Sequence, residues 1–141
     1  MPQEWLFYPI FGMFVLTLYV AQRMLKLRIK AVREGNVSVK YFRYNSGASL
    51  PNDLVKTERH YANLFELPIM YYVVIIMIYI TQHGDYAYLV LAWLYLISRI
   101  IHAYIHMGHN NIIHRKNAFI FSWIILALLW IRLFIDLIIS G

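Results

Sequence analysis

The chain has 141 residues, of which 61% are hydrophobic and only 14% are charged. A globular domain in water carries roughly 25% charged residues, so this composition excludes a protein that water surrounds on all sides, and lipid must cover part of the surface. The chain contains no cysteine. This excludes a disulfide framework, a thiolate zinc site and a cysteine nucleophile, so thiol chemistry would need a thiol from another molecule.

The first hydrophobic segment, residues 5–22, has no charged residue. At about 1.5 Å per residue it spans most of a ~30 Å hydrocarbon layer. A basic extension is predicted to continue this helix to about Arg33, with Gly35 at its end. Asn52 or Asp53 is predicted to cap the second helix. We expect an all-α integral membrane protein in which residues 1–141 form a single four-helix transmembrane domain, with spans at about 5–28, 57–82, 86–108 and 115–139.

The connections between the spans differ in charge. The turn between the second and third spans has no Lys or Arg, whereas Arg115 and Lys116 lie between the third and fourth. By the positive-inside rule, the long loop after the first span is cytoplasmic and both termini lie outside. The lack of a targeting extension fits a bacterial inner membrane, and the basic residues form no nucleic-acid-binding face. The basic residues between the first two spans are Lys26, Arg28, Lys30, Arg33, Lys40, Arg43 and Lys56.

Several ionisable residues fall inside the spans, where each costs on the order of 2.5–3.5 kcal/mol on insertion scales. They repeat at helical spacing on one face of the second span and one face of the third, and both faces lie at the cytoplasmic level. Positive charge exceeds the single carboxylate there, so we predict a binding cleft for an anionic ligand, open to lipid for a lipophilic second reactant. The ionisable and amide residues of this predicted cleft are Lys26, Arg28, Arg59, Asn63, Glu66, Arg99, His102, His106, His109 and Arg115.

Two other interpretations of these residues remain open. The polar residues of the second span could form a network that only fixes helix packing, with Arg99 paired to Glu66. His102 and His106 have the i, i+4 spacing of two metal ligands, but the sequence supports a metal or haem site less well, and we assign no metal ligand. His60, His109 and His114 lie at a similar depth. Near the opposite end of the fourth span, Arg132 and Asp136 are expected to pair across one helical turn.

The segment ERHYANLFELP resembles the second helix of the MAPEG family, the membrane-associated proteins of eicosanoid and glutathione metabolism. That helix carries Arg-x3-Asn-x2-Glu followed by proline, which Arg59, Asn63, Glu66 and Pro68 match. The segment KLRIKA at 26–31 resembles the basic end of the family's first helix, and Arg99-x2-His102 resembles its third. Arg115 falls where the prostaglandin-forming members place a catalytic arginine. Together with four short spans, the resemblance covers nearly the whole chain.

The resemblance implies a homotrimer that binds glutathione, as a co-substrate, between subunits near the cytoplasmic side. Arg115 would stabilise the glutathione thiolate for attack on a lipophilic electrophile or lipid hydroperoxide. The family's enzymes commonly place a tyrosine where this chain has His106, which changes the pocket. The alternative is a non-catalytic membrane protein that binds an anionic lipid or metabolite in the same cleft. The residues expected to hold glutathione are Lys26, Arg28, Arg59, Asn63, Glu66, Arg99, His102 and His106.

Overall fold

The computed structural model describes residues 1–44 and 49–140, and every regular element in these ranges is a helix. Four helical stretches are long and apolar enough to cross a membrane: Gln3–Arg33, Asn52–Ile80, Tyr86–Met107 and Ile112–Ser140. The prediction of an all-α, four-span membrane protein is therefore confirmed. A short 3-10 helix at Gln3–Leu6 precedes the helices α1 (Phe7–Arg33), α2 (Tyr41–Tyr44), α3 (Asn52–Asn63), α4 (Leu67–Ile80), α5 (Tyr86–Met107) and α6 (Ile112–Ser140).

The end of α1 follows the sequence prediction. Gly35 has φ +73°, the left-handed conformation that favours glycine after a helix. The Asn36 N–H donates to the Ala31 carbonyl at 3.0 Å and the Gly35 N–H to the Val32 carbonyl at 3.1 Å, which is the Schellman pattern. The chain then folds back, and Val37 joins Ala31 and Leu54 in a small buried cluster that holds the start of α3 against α1.

The second span differs from the prediction of one helix over 57–82. Helix α3 begins at Asn52 and ends at Asn63, and α4 begins only at Leu67. Pro68 explains the break, because proline lacks the N–H that would bond to the Leu64 carbonyl and its ring clashes with that carbonyl. The predicted cap is also wrong, since Pro51 occupies the N-cap position of α3 and no side chain caps this helix.

Helix α5 lies at the centre of the bundle, where it packs against α1, α3 and α6, and α4 packs against α6. The rings of Tyr71 and Tyr95 stack at a centroid distance of 4.2 Å, and the Tyr71 hydroxyl donates to the Ala92 carbonyl of α5 at 3.2 Å. Ser98 of α5 donates to Ser122 of α6 at 2.9 Å inside the apolar core. These contacts hold α5 against α4 and α6.

The first and last described helices both contact the turn between α4 and α5, where His83 Nε2 is 3.1 Å from Ser140 Oγ, and we call this end of the bundle the distal end. There Gln3 makes two hydrogen bonds with the backbone of Gly84, at 2.8 and 3.0 Å. The expected pair between Arg132 and Asp136 is present at 3.7 Å, but Arg132 lies closer to Asp85, before α5. Burial would raise the pKa of Asp85, but its hydrogen bonds to Arg132 and to the Tyr88 N–H outweigh burial and lower that pKa.

Candidate functional site

A cavity of about 440 Å³ lies between α3, α5 and α6 at the opposite end, which we call the basic end. Its volume falls in the ~300–1,000 Å³ range of small-molecule sites. Three of its side chains are cationic and two are imidazoles, and among the residues described its wall carries no carboxylate. The lining residues are Arg59, Asn63, His102, His106, Ile112, Arg115, Lys116 and Phe119.

Arg115 reaches this cavity from the first turn of α6. The Asn111 side chain caps that helix, because its Oδ1 accepts from the N–H groups of Ile113 at 3.0 Å and His114 at 3.2 Å. The Arg115 guanidinium donates to Asn110 Oδ1 at 2.8 Å, which restrains the side chain beside the cavity. Asn110 itself has φ +52°, a left-handed conformation that asparagine tolerates better than most residues. The tight turn from α5 into α6 thus orients the arginine.

Asn63 connects two charged groups behind the cavity wall. It accepts a hydrogen bond from the Arg99 guanidinium through Oδ1 and donates to Glu66 Oε2 at 3.2 Å through Nδ2. The expected direct pair between Arg99 and Glu66 is therefore replaced by a relay through the amide. Arg99 is fully buried, and its Nε and Nη1 atoms have no partner among the described residues. The break at Pro68 contributes to this arrangement, because it turns Glu66 out of the α3 helix and leaves it exposed.

Three buried histidines form a cluster against the same wall. His60 of α3 is 0% exposed, and His102 and His106 of α5 are 3% and 7% exposed. Their ring centroids form a nearly equilateral triangle with sides of 5.3, 5.4 and 5.5 Å. His60 Nδ1 lies 3.3 Å from His106 Nδ1, while His60 Nε2 and His102 Nδ1 are buried without a partner among the described residues.

Lys26 and Arg28 lie outside this cavity. The Arg28 guanidinium pairs with Glu58 at 2.8 Å and is 5.2 Å from the Phe42 ring centroid. Lys26 lines a separate cavity of about 340 Å³ with residues of α1 alone, including Tyr19 and Arg23. Within one chain, five of the predicted site residues line the cavity: Arg59, Asn63, His102, His106 and Arg115. Arg99 and Glu66 are connected to the cavity through Asn63, and Lys26 and Arg28 lie elsewhere.

The arrangement favours anions over cations. Guanidinium and ammonium groups converge on a partly desolvated space, where charge-assisted hydrogen bonds are stronger than in water. Forked guanidinium donors suit carboxylates in particular. The amino end of α6 lies at the cavity, because Ile112, Arg115 and Lys116 of its first turns line it. The partial positive charge of this helix end therefore adds to the charge of the side chains.

The fold and the cavity together define an integral membrane protein with four spanning helices and a polar site near one end. The sequence model of the MAPEG family matches residues 6–135, which is nearly the whole chain. The chain belongs to the MAPEG family and is thus a membrane protein related to glutathione and eicosanoid metabolism. Neither the curated proteins nor the solved structures gave a match to the chain.

Sequence reasoning missed two kinds of residue at this site. Of the α6 residues at the cavity, the sequence analysis predicts only Arg115, whereas Lys116 and Phe119 also line it. Helix α6 begins at Ile112, three residues before the predicted start. His60 was noted only for its depth. Its spacing of i, i+3 to Asn63 is a signal that could have placed it on the inward face of α3. His109 lies outside the cluster, because α5 ends at Met107 and leaves it exposed.

Proposed function

We propose that the protein is a glutathione-dependent membrane transferase or peroxidase that binds glutathione in the cavity at the basic end. The observation that carries the proposal is the set of three cationic side chains around this cavity: Arg59, Arg115 and Lys116. Glutathione bears two carboxylates and one ammonium group at neutral pH, so its net charge complements the wall. Membership of a glutathione-related family supports the same ligand.

The polar groups suggest a role for each part of the tripeptide. Arg59 is exposed at the rim, where its guanidinium can bind a terminal carboxylate in forked geometry. The carboxylate of Glu66 accepts a hydrogen bond from Asn63 of the cavity wall, and it suits the ammonium group. His102 and His106 offer ring nitrogens to the peptide groups. Arg99 then acts from behind by orienting Asn63.

Arg115 is the proposed catalytic residue. A guanidinium beside a thiol favours the thiolate, which is the nucleophilic form. Because Asn110 restrains this guanidinium, the donor is positioned before the substrate binds, as electrostatic catalysis requires. The thiolate sulfur attacks the electrophilic carbon of the second substrate and displaces its leaving group. With a hydroperoxide, the thiolate sulfur instead attacks the terminal oxygen and the O–O bond breaks, which releases the alcohol once its alkoxide takes a proton and leaves glutathione sulfenic acid. The thiol of a second glutathione then attacks that sulfur, displaces water and forms the disulfide.

An apolar cavity of about 250 Å³ supports a lipophilic second substrate. It lies between α4 and α6, and its walls are Leu67, Met70, Trp123, Leu126, Ala127 and Trp130. Trp123 is one helical turn from Phe119 on α6, and Leu67 is the first residue of α4 after the break that follows Asn63. We therefore place the apolar cavity next to the polar one, toward the middle of the bilayer. A hydrophobic electrophile can therefore approach from the lipid.

We further propose a homotrimer whose glutathione site is shared between neighbouring subunits. Lys26 and Arg28 lie on a part of the chain that shares no lining residue with the basic-end cavity. Separate half-sites on one subunit are what a shared site needs. We place the basic end in the cytoplasm, both termini outside, and the protein in a bacterial inner membrane.

The test is conjugation of glutathione to 1-chloro-2,4-dinitrobenzene by the purified protein. We expect wild-type activity, and we expect Arg115→Ala to lower kcat by roughly 10²–10³ while KM for glutathione changes only a few-fold. Arg33→Ala is the matched control, because Arg33 is exposed on the same basic surface and lies outside the cavity. Unchanged activity in Arg115→Ala, or equal losses in both variants, would contradict the assigned role.

A further inference from the structure

The proposed binding of glutathione uses His102 and His106 of the three-histidine cluster, but it gives His60 no role. His60 is the innermost member and does not line the cavity, yet it is completely buried and packs against both other imidazoles. One ring nitrogen from each histidine lies within 4.8 Å of the others. A buried ring nitrogen without a hydrogen-bond partner is unfavourable, and His102 Nδ1 is such a nitrogen among the described residues.

We propose that His60, His102 and His106 bind a transition-metal ion of the zinc class, with the fourth coordination position open to the basic-end cavity. Tetrahedral coordination with metal–nitrogen bonds of ~2.0–2.1 Å places ligand nitrogens about 3.3 Å apart. His60 Nδ1 and His106 Nδ1 are already separated by 3.3 Å. The third ring is equidistant from both, so small side-chain rotations bring its nitrogen to the same centre.

The backbone holds these ligands rigidly. His102 and His106 are one turn apart at the carboxyl end of α5, and α3 packs directly against that helix. Lys56, one turn before His60, donates to the Gly108 carbonyl at 3.1 Å and so fixes α3 to the end of α5. Ligands on rigid helices need little reorganisation when a metal binds.

The open position follows from the placement of the cluster. His102 and His106 form part of the cavity wall, whereas His60 lies behind them. Three protein nitrogens with one free position is the pattern of catalytic rather than structural zinc sites. The nearby positive charges of Arg99 and Arg115 oppose a divalent cation, so an anionic fourth ligand such as hydroxide or a thiolate is needed to lower the local charge. Mg²⁺ and Ca²⁺ are excluded because they prefer oxygen ligands.

The experiment titrates Co²⁺ into metal-free protein in detergent micelles, without glutathione, and follows the visible bands of four-coordinate cobalt. We expect one Co²⁺ per chain, no competition from millimolar Mg²⁺, and displacement by Zn²⁺. We also expect the bands to shift when 2-mercaptoethanol is added, because its thiolate takes the open position. Absence of saturable Co²⁺ binding would overturn the metal site, and bands insensitive to the thiol would overturn the open position.

Variants separate the cluster from other histidines. His60→Gln and His106→Gln should each weaken Co²⁺ binding at least 100-fold, whereas His109→Gln should bind as wild type, because His109 is exposed outside the cluster. If His60→Gln does not fold, His106→Gln at the cavity wall carries the test. Equal binding in His106→Gln and His109→Gln would overturn the assignment. Metal binding by a protein that glutathione does not stabilise would refute the proposed function alone, and glutathione binding without metal binding would refute only this inference.

Discussion

The relay through Asn63 gives a quantitative prediction for Asn63→Ala. Arg99 is 0% exposed, and its only hydrogen bond among the described residues is the one to Asn63. A hydrogen bond to a charged group contributes about 1.5–3 kcal/mol, whereas interhelical hydrogen bonds in membranes average only ~0.6 kcal/mol. The first value applies here, because the buried guanidinium is left with no partner. We therefore expect Asn63→Ala to lower the free energy of unfolding by about 1.5–3 kcal/mol.

Reversible unfolding in mixed micelles of dodecyl maltoside and SDS measures this difference. Asn36→Ala is the matched control, since Asn36 makes an exposed hydrogen bond to Glu34 and its loss should change stability by less than about 0.5 kcal/mol. Asn63→Asp combined with Glu66→Gln retains an acceptor for Arg99 and a donor at position 66, so it should recover most of the stability. Equal stability of Asn63→Ala and Asn36→Ala would refute the claim that the amide supports the buried guanidinium.

Three other changes test the fold and the second substrate. The lowered pKa of Asp85 stabilises the wild-type fold above the unfolded Asp pKa of ~3.9, and this stability is lost as the pH falls through the folded pKa. Asp85→Asn should therefore be less stable than wild type near neutral pH, and an acid titration should show the two proteins converging at low pH. Gly35→Ala should lower the free energy of unfolding by about 1 kcal/mol in micelle denaturation, because φ +73° strains any residue with a Cβ, and no loss would contradict the Schellman end. Trp123→Ala should raise KM for the electrophile but not for glutathione in steady-state kinetics, whereas a rise in both constants would contradict an apolar subsite.

The sequence predicted the number and type of spans because hydrophobic length is a strong signal in a membrane protein. It also located the end of α1 from Gly35. The prediction of one continuous helix was wrong at the second span. The hydrophobic pattern continues across residues 64–66, but Pro68 ends the helix there.

The site was harder to predict than the fold. Helical spacing placed Arg59 and Asn63 on one face, and the structure has both at the cavity. Spacing alone could not show that Asn63 would come between Arg99 and Glu66, because that depends on the turn after α3. Spacing could place His60 on the inward face of α3, but it could not show that His60 contacts His102 and His106, since the rotation of one helix against another is set by packing.

The most direct test of the central claim is the thermal stability of the purified protein as glutathione is added. Selective binding to the folded state raises the melting temperature with ligand concentration. We predict a saturable rise with glutathione that Arg59→Ala weakens, and a smaller effect of phosphatidylglycerol. An unchanged melting temperature with glutathione, together with a clear rise with the anionic phospholipid, would contradict the claim and favour a lipid-binding protein.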